Sequence, residues 1–319
     1  MPDSTDLQYD VASAISLGQR DVQEDAIICD FPLGSELGFA VLADGMGGHA
    51  AGDIASKIVV TEVFSELKLQ SGNPQSMEAD IAEVLLGAAL AANDCIGAHA
   101  DAEPGTEGMG ATLVAPVLMQ NRLYWISVGD SPLLLHRNGT LTQLNEDHSM
   151  APQIDYLVRT GVMEADTALN HPDRNCLTSV LGGNRVPRVD CPSTPVQLMD
   201  GDIVIAASDG LQFLENTEIS DLLCEHGAGT SADISTGLLR RLEQLDDPDQ
   251  DNISFCVIKV DLTAKKADVL QMVPPPDEQI TPQSALPAAR VRNEKVTIMA
   301  SKTDSSLSMM YRLSSSRGA

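Results

Sequence analysis

The 319-residue chain carries 46 Asp and Glu against 20 Lys and Arg, a formal charge of −26. A surface this acidic repels a phosphate backbone, which excludes non-specific nucleic-acid binding. The length suffices for one large domain or two small ones. No apolar run approaches the ~18 residues of a membrane span, and the acidic start MPDSTDLQYD has no signal-peptide core, so a cytoplasmic protein without a membrane partner is expected. Six cysteines, Cys29, Cys95, Cys176, Cys191, Cys224 and Cys256, form no C-x-x-C pair, which predicts buried free thiols.

In chain order, residues 39–43 form an apolar strand that exits on Asp44 into a turn containing Gly45, Gly47 and Gly48. Glycine lets the backbone approach a ligand and leaves carbonyls bare. Asp44 beside the Gly45 carbonyl therefore suits a hard cation such as Mg²⁺ or Mn²⁺, although an Asp that only shapes the bend explains this loop equally well when it is taken alone. Ile54, Ala55, Ile58, Val59, Val63, Phe64 and Leu67 then recur at helical spacing, and Ile81, Val84, Leu85, Ala88, Ala92 and Ile96 predict a second long helix. Strands follow over 110–145, with Asn138-Gly139 as a hairpin turn. One of them, at 123–128, exits on Gly129 and Asp130.

A short helix is expected near Tyr156, within a mixed stretch from 146 to 183. The strand at 203–207 runs into Ser208, Asp209 and Gly210; helices fit 217–226 and 231–245; Asp251 and Asn252 precede a strand at 253–260. Three strand exits onto Asp and one entry from Asp favour a metal site at one sheet edge over turn chemistry repeated by chance. Asp247, Asp249 and Asp251 have the spacing that opens an EF-hand, but that loop needs Gly where Asn252 stands and Glu where Ile258 stands. Long helices separated by runs of short strands predict an α+β domain with helices packed outside sheets. Beyond residue 262, Pro274, Pro275, Pro276, Pro282, Pro287 and a Ser-rich end predict a disordered extension.

The segments GQRDVQEDA (18–26), VLADGMGGHAAG (41–52), GMGATLVA (108–115), VGDS (128–131), EDHS (146–149), HPDRNCLTSVLG (171–182), GDIVIAASDGL (201–211) and DNIS (251–254) together resemble the metal-dependent protein phosphatase family (PPM, the type 2C serine/threonine phosphatases), most closely its bacterial members. The resemblance spans nearly all of residues 10–260. It implies a catalytic domain over 1–261 with a four-layer αββα sandwich, two central antiparallel β-sheets flanked by pairs of helices, and a Pro/Ser-rich tail over 262–319.

The resemblance also implies two Mg²⁺ or Mn²⁺ ions bridged by Asp44, with the Gly45 carbonyl on one ion and Asp209 and Asp251 on the other. Glu24 and Asp25 would act through metal-bound waters. A hydroxide shared by the cations would attack phosphorus in line, and Arg20 would clamp the phosphate with its planar fork unless it only pairs with neighbouring acids. Asp130 either joins Asp209 on a third, weaker ion or shapes its turn. His49 either protonates the leaving alkoxide or orders its loop, since a metal-bound water can also serve as acid. His148 is read as structural.

Gln23, Ala111, Pro132 and Ser179 depart from the family's usual Asn, Thr, Arg and Arg, and none of these changes removes a metal ligand. The implied partners are phosphorylated protein substrates, in a signalling role opposing a Ser/Thr kinase, with the enzyme a monomer. The tail is either inert or a docking segment, in which VTIMA and LSMMYRL would order against a partner. A phosphoprotein-binding scaffold without turnover is the second reading; the intact set of Asp44, Asp209 and Asp251 disfavours it.

Overall fold

The computed structural model describes residues 8–32, 34–47, 50–262, 296–303 and 306–313. Strands β1 (Gln8–Ser16), β2 (Asp25–Asp30) and β3 (Leu37–Met46) are followed by helices α1 (Ala50–Gln70), α2 (Pro74–Ala79) and α3 (Ile81–Ala102). Next come β4 (Gly110–Ala111), β5 (Leu113–Met119), β6 (Arg122–Val128), β7 (Leu133–Arg137) and β8 (Thr140–Gln143). Helices α4 (Ala151–Arg159) and α5 (Ala165–Leu169) precede β9 (Val196–Gln197) and β10 (Ile203–Ala207). A 3₁₀ turn over Asp209–Phe213, then α6 (Asn216–His226), α7 (Ser231–Glu243) and β11 (Ile253–Asp261), complete the domain.

The strands pair antiparallel into two sheets. The first has the order β1-β11-β10-β7-β8; the second runs β2-β3-β5-β6-β9, with β4 paired to β3. Side chains on a strand alternate between faces, and the burial of β3 follows that period. Phe39, Val41 and Ala43 enter a core shared with α1 and α3, whereas Ala40 and Leu42 enter the core between the sheets. β11 alternates likewise: Cys256, Ile258 and Val260 face the inter-sheet core, while Phe255 and Val257 face α6 and α7. Three apolar layers separated by two sheets make the αββα sandwich, so the sequence-based α+β expectation holds.

The helices form where apolar periodicity places them. Ala55, Val59, Val63 and Leu67 of α1 are fully or almost fully buried against the second sheet, and each buried aliphatic side chain contributes roughly 1.5–3 kcal/mol. α7 begins at a reciprocal cap, in which the Thr230 side chain accepts from the Asp233 N–H and the Asp233 carboxylate accepts from the Thr230 N–H. Among the described residues, α3 is long and apolar enough to cross a membrane, against the expectation that no segment would be. Its apolar face, Ile81, Leu85, Ala88, Ala92 and Ile96, lies in the core with α1.

Two further expectations meet the structure. All six cysteines are free, but Cys256 alone is buried; Cys176 and Cys224 are exposed and the other three are half-buried. An apolar neighbourhood in sequence is no guide to depth at a helix surface or in a loop. Of the tail, the described part is two strands, β12 (Val296–Thr303) and β13 (Ser306–Leu313), which pair as an antiparallel hairpin and contain VTIMA and LSMMYRL. The rest of that segment lies outside the described residues.

Candidate active site

Antiparallel order brings the start of β2, the end of β3 and the end of β6 to one end of the second sheet, and the end of β10 and start of β11 to one end of the first. These are the strand ends that carry acids. Asp25 is the first residue of β2 and lies directly opposite Asp44 on β3. Directly opposed residues share a face, where two like charges repel. Asp209 opens the 3₁₀ turn after β10, Asp251 stands two residues before β11, and Asp130 follows Gly129 at the exit of β6. A hydrogen bond joins the two halves: Ser208 Oγ on the first sheet donates to Asp25 Oδ2 on the second at 2.7 Å.

Backbone packing here is close. A Cβ on Gly45 would stand 2.0 Å from the Gly52 carbonyl oxygen and 2.7 Å from that of Glu24, so only glycine lets these segments touch. The Gly45 N–H donates to the Glu24 carbonyl at 3.1 Å. Gly18, at φ +57°, would place a Cβ 2.0 Å from the Asp251 carbonyl oxygen, which presses the turn carrying Arg20 against the approach to β11.

Each acid is positioned by groups below it. Thr112 Oγ1 accepts the Asp44 N–H at 3.0 Å and lies 2.7 Å from Ser131 Oγ, tying the Asp44 strand to the Asp130 turn. His148, fully buried, accepts the Gly129 N–H on Nδ1 at 3.2 Å, and its backbone N–H donates to the Gly129 carbonyl at 3.0 Å. Asn252, also buried, donates from Nδ2 to the Leu17 and Val22 carbonyls at 3.0 Å each and accepts the Glu24 N–H at 2.7 Å. One amide thereby holds both flanks of the Arg20 turn. Gln23, the departure from the family's Asn, donates to the Ser16 carbonyl and accepts the Asp25 N–H at 2.9 Å.

The electrostatics are those of crowded anions with Arg20 as a cation beside them. Burial, then repulsion from Asp25, Asp209, Asp130 and Asp251, pushes the Asp44 carboxyl well above the usual range. Burial raises Asp25 to about 7 against the Ser208 hydrogen bond that pulls it down, with Asp209 and Asp251 adding repulsion. Burial, Asp209 and Asp147 raise Asp130 to about 7. Burial and Asp251 raise Asp209, which the neighbouring Asp44 and the Arg20 charge partly offset. Arg20 is half-exposed and its Nη2 meets Asp251 Oδ2 at 2.7 Å.

The structure brings Arg20, Glu24, Asp25, Asp44, Gly45, Asp130, Asp209 and Asp251 to this edge; His49 lies outside the described residues. Asp147, which faces Asp130, together with Ser208, Thr112 and Asn252, had no role assigned from sequence. Asn252 and Ser208 lie in segments read as motifs, but the side-chain bonds that tie them to the Glu24 and Asp25 segment span 228 and 183 residues.

Hard, anionic oxygens suit Mg²⁺ or Mn²⁺, and two of them, Asp25 Oδ1 and Asp209 Oδ1, are buried without a hydrogen-bond partner. A buried carboxylate oxygen left unpaired is costly, and a cation removes that cost. Among the described residues, no three acids close into a ready-made cage. Asp25 is held by Ser208 instead, and Asp251 holds Arg20. The donor set fits ions that keep part of their water shell, as Mg²⁺ does.

A family model described as Protein phosphatase 2C matches residues 17–244. The serine/threonine phosphatase stp of Listeria monocytogenes serovar 1/2a is 33% identical over 231 residues, 72% of this chain and 86% of that protein. The crystal structure of the Mycobacterium tuberculosis serine/threonine phosphatase PstP/Ppp is similar at a TM-score of 0.65 and 29% identity, covering 80% of this chain and 99% of that one. The catalytic domain of serine/threonine protein phosphatase PstP in complex with two manganese ions matches at a TM-score of 0.60 and 27% identity, again over 80% and 99% of the two chains.

Proposed function

We propose, from the premise that this chain belongs to the protein phosphatase 2C family and is a metal-dependent protein serine/threonine phosphatase, that the acids at the shared sheet edge are its cation-binding set. Asp44, the Gly45 carbonyl, Asp209 and Asp251 would hold two Mg²⁺ or Mn²⁺ ions, with Glu24 and Asp25 binding waters at their margin. Asp130 with Asp209 would hold a third, weaker ion. Bound there, the cations would supply Lewis acidity toward the phosphate and lower the pKa of water at neutral pH.

The chain's own groups do the rest. Arg20 is poised on a turn fixed by Asn252, and with Asp251 serving a cation its guanidinium would turn to the phosphate. It is then free to grip two phosphate oxygens. The turn and the strand ends hold the phosphate in line with the attacking water, which converts binding into orientation. Ser208 Oγ donates to Asp25 Oδ2 and fixes the carboxylate that would orient water. Protonation of the leaving serine or threonine alkoxide falls either to His49 or to a water at the site. The substrates are phosphorylated proteins, the physiological setting is opposition to a Ser/Thr kinase, and the enzyme acts as a cytoplasmic monomer.

The observation that carries this reading is the convergence of five aspartates from two sheets, with Asp25 and Asp44 directly opposed. Its test is hydrolysis of a phosphothreonine peptide with and without added Mn²⁺. Turnover that requires Mn²⁺ and collapses in Asp209→Ala supports it; undiminished turnover by Asp209→Ala overturns the site assignment. Size-exclusion chromatography with light scattering tests the monomer, and cell fractionation tests the location.

A further inference from the structure

In the core between the sheets, the Cys29 thiol donates to the sulfur of Cys256 at 3.4 Å. The two belong to different sheets: Cys29 is on β2 and Cys256 on β11. Neither strand is remote from the chemistry. β2 begins at Asp25, and β11 begins two residues after Asp251. The cross-strand neighbour of Cys29 is Ala40, and those of Cys256 are Ala206 and Ser13, so both sulfurs have small residues beside them.

We propose that Cys29 and Cys256 are an oxidisable dithiol site, closed by a peroxide-class oxidant into a disulfide that ties the two sheets together and slows the phosphatase. A disulfide needs sulfurs about 2.05 Å apart, so closure asks for a shift of little more than an ångström. The half-buried Cys29 is the sulfur that an oxidant reaches, and Cys256 is fully enclosed. The hydrogen bond with Cys29 and then burial hold the Cys256 thiol well above its ordinary range, so Cys256 stays protonated through the first step and acts in the second.

The chemistry balances in two steps. The Cys29 thiolate attacks one peroxide oxygen; the O–O bond breaks, giving a sulfenic acid and hydroxide. The Cys256 sulfur then attacks the sulfenic sulfur; the S–S bond forms, the S–O bond breaks, and the Cys256 proton leaves with the hydroxyl group as water. Each thiol gives one electron, and the peroxide is reduced to two waters with the original thiol protons.

The disulfide would act on the site through distance. Asp25 and Asp44 ride on the second sheet, Asp209 and Asp251 on the first, and the Ser208–Asp25 hydrogen bond is their link at the site end. A covalent bond placed further along β2 and β11 resets the spacing of the two halves.

The test treats the full chain with hydrogen peroxide, alkylates without reduction, and maps peptides by mass spectrometry while following phosphopeptide hydrolysis. The expected result is a Cys29–Cys256 linked peptide, two hydrogen masses lighter than its reduced parts, with a several-fold slower rate that dithiothreitol restores. Cys29→Ser should keep its basal rate and lose the peroxide effect, and Cys256→Ala serves if the serine at Cys29 disturbs the fold. Oxidation confined to the exposed Cys176 and Cys224 would overturn the proposal, as would a Cys29–Cys256 disulfide that leaves the rate unchanged. The linked peptide is read by mass alone, so its appearance does not depend on the activity assigned above.

Discussion

At the end of the second sheet where β3 and β6 begin, the Glu78 carboxylate accepts two hydrogen bonds from Arg122 and one at 2.9 Å from the Tyr124 hydroxyl. Its carboxyl is held below the usual range, chiefly by Arg122. At the other end of the same strands, Asp25 and Asp44 face each other, the Asp209 charge acts on Asp130, and the pKa values move up. The Glu78 end also holds a cleft of about 540 Å³, lined by Glu36, Asn73, Gln120 and Arg122 among others, yet its charges are already satisfied. Concavity is the usual first guide to a site, but here unsatisfied charge is the better one, because acids that repel one another persist only where something else pairs with them.

That contrast can be broken in several ways. The largest effect is expected for Asp44→Asn. Loss of a bridging ligand should cut the Mn²⁺-dependent rate by on the order of a thousandfold, while metal-free Asp44→Asn should melt no lower than the metal-free parent because repulsion is relieved. Steady-state hydrolysis and thermal scans in chelator read both; a stability loss with an unchanged rate would make the two sheet ends alike.

Next is the pH dependence of the metal-free protein. Folded Asp25 and Asp130 titrate near 7, against 3.8 for the ordinary carboxyl, so the folded state binds protons more tightly than the unfolded one. Their contribution is fully present near pH 4 and is lost as pH rises through about 7, an effect on the order of a few kcal/mol. Groups with lowered values, such as Glu78, act oppositely and only in the acid range. Melting in chelator should therefore fall between about pH 4 and 7, and added Mn²⁺ should flatten that slope.

Asn252→Ala should cost about 1–3 kcal/mol, because it leaves buried partners unpaired. It should also raise KM for a phosphopeptide by about tenfold through the loosened Arg20 turn, with kcat less affected. An Asn252→Ala enzyme with unchanged KM would separate the turn from substrate binding. Smallest is Arg122→Ala at the paired end. It should lower stability by about 1 kcal/mol, since the pair is partly exposed, and leave kcat/KM as it was.

Much of the layering was legible in the residues. The helical spacing from Ile54 to Leu67 lies inside α1, that from Ile81 to Ile96 inside α3, and the expected 217–226 and 231–245 differ from α6 and α7 by a residue or two. Asp44 was legible because glycines after an apolar strand mark a close backbone approach. Strands β1 and β2 were not read as strands. Val11, Ala12, Ala14 and Ile15 alternate poorly on β1, an edge strand with Ser13 and Ile15 exposed. The opposition of Asp25 to Asp44, the clasp of Asn252 and the Cys29–Cys256 contact depend on register and on sheet-to-sheet packing. A sequence carries those only through the completed fold.

The claim that this sheet edge is a cation site is tested most directly by titrating metal-free protein with Mn²⁺ in a calorimeter, for the parent and for Asp44→Asn, with circular dichroism confirming that both are folded. Binding by the parent that is lost or weakened at least about tenfold in Asp44→Asn is the predicted result. Equal binding by the two folded proteins would contradict it.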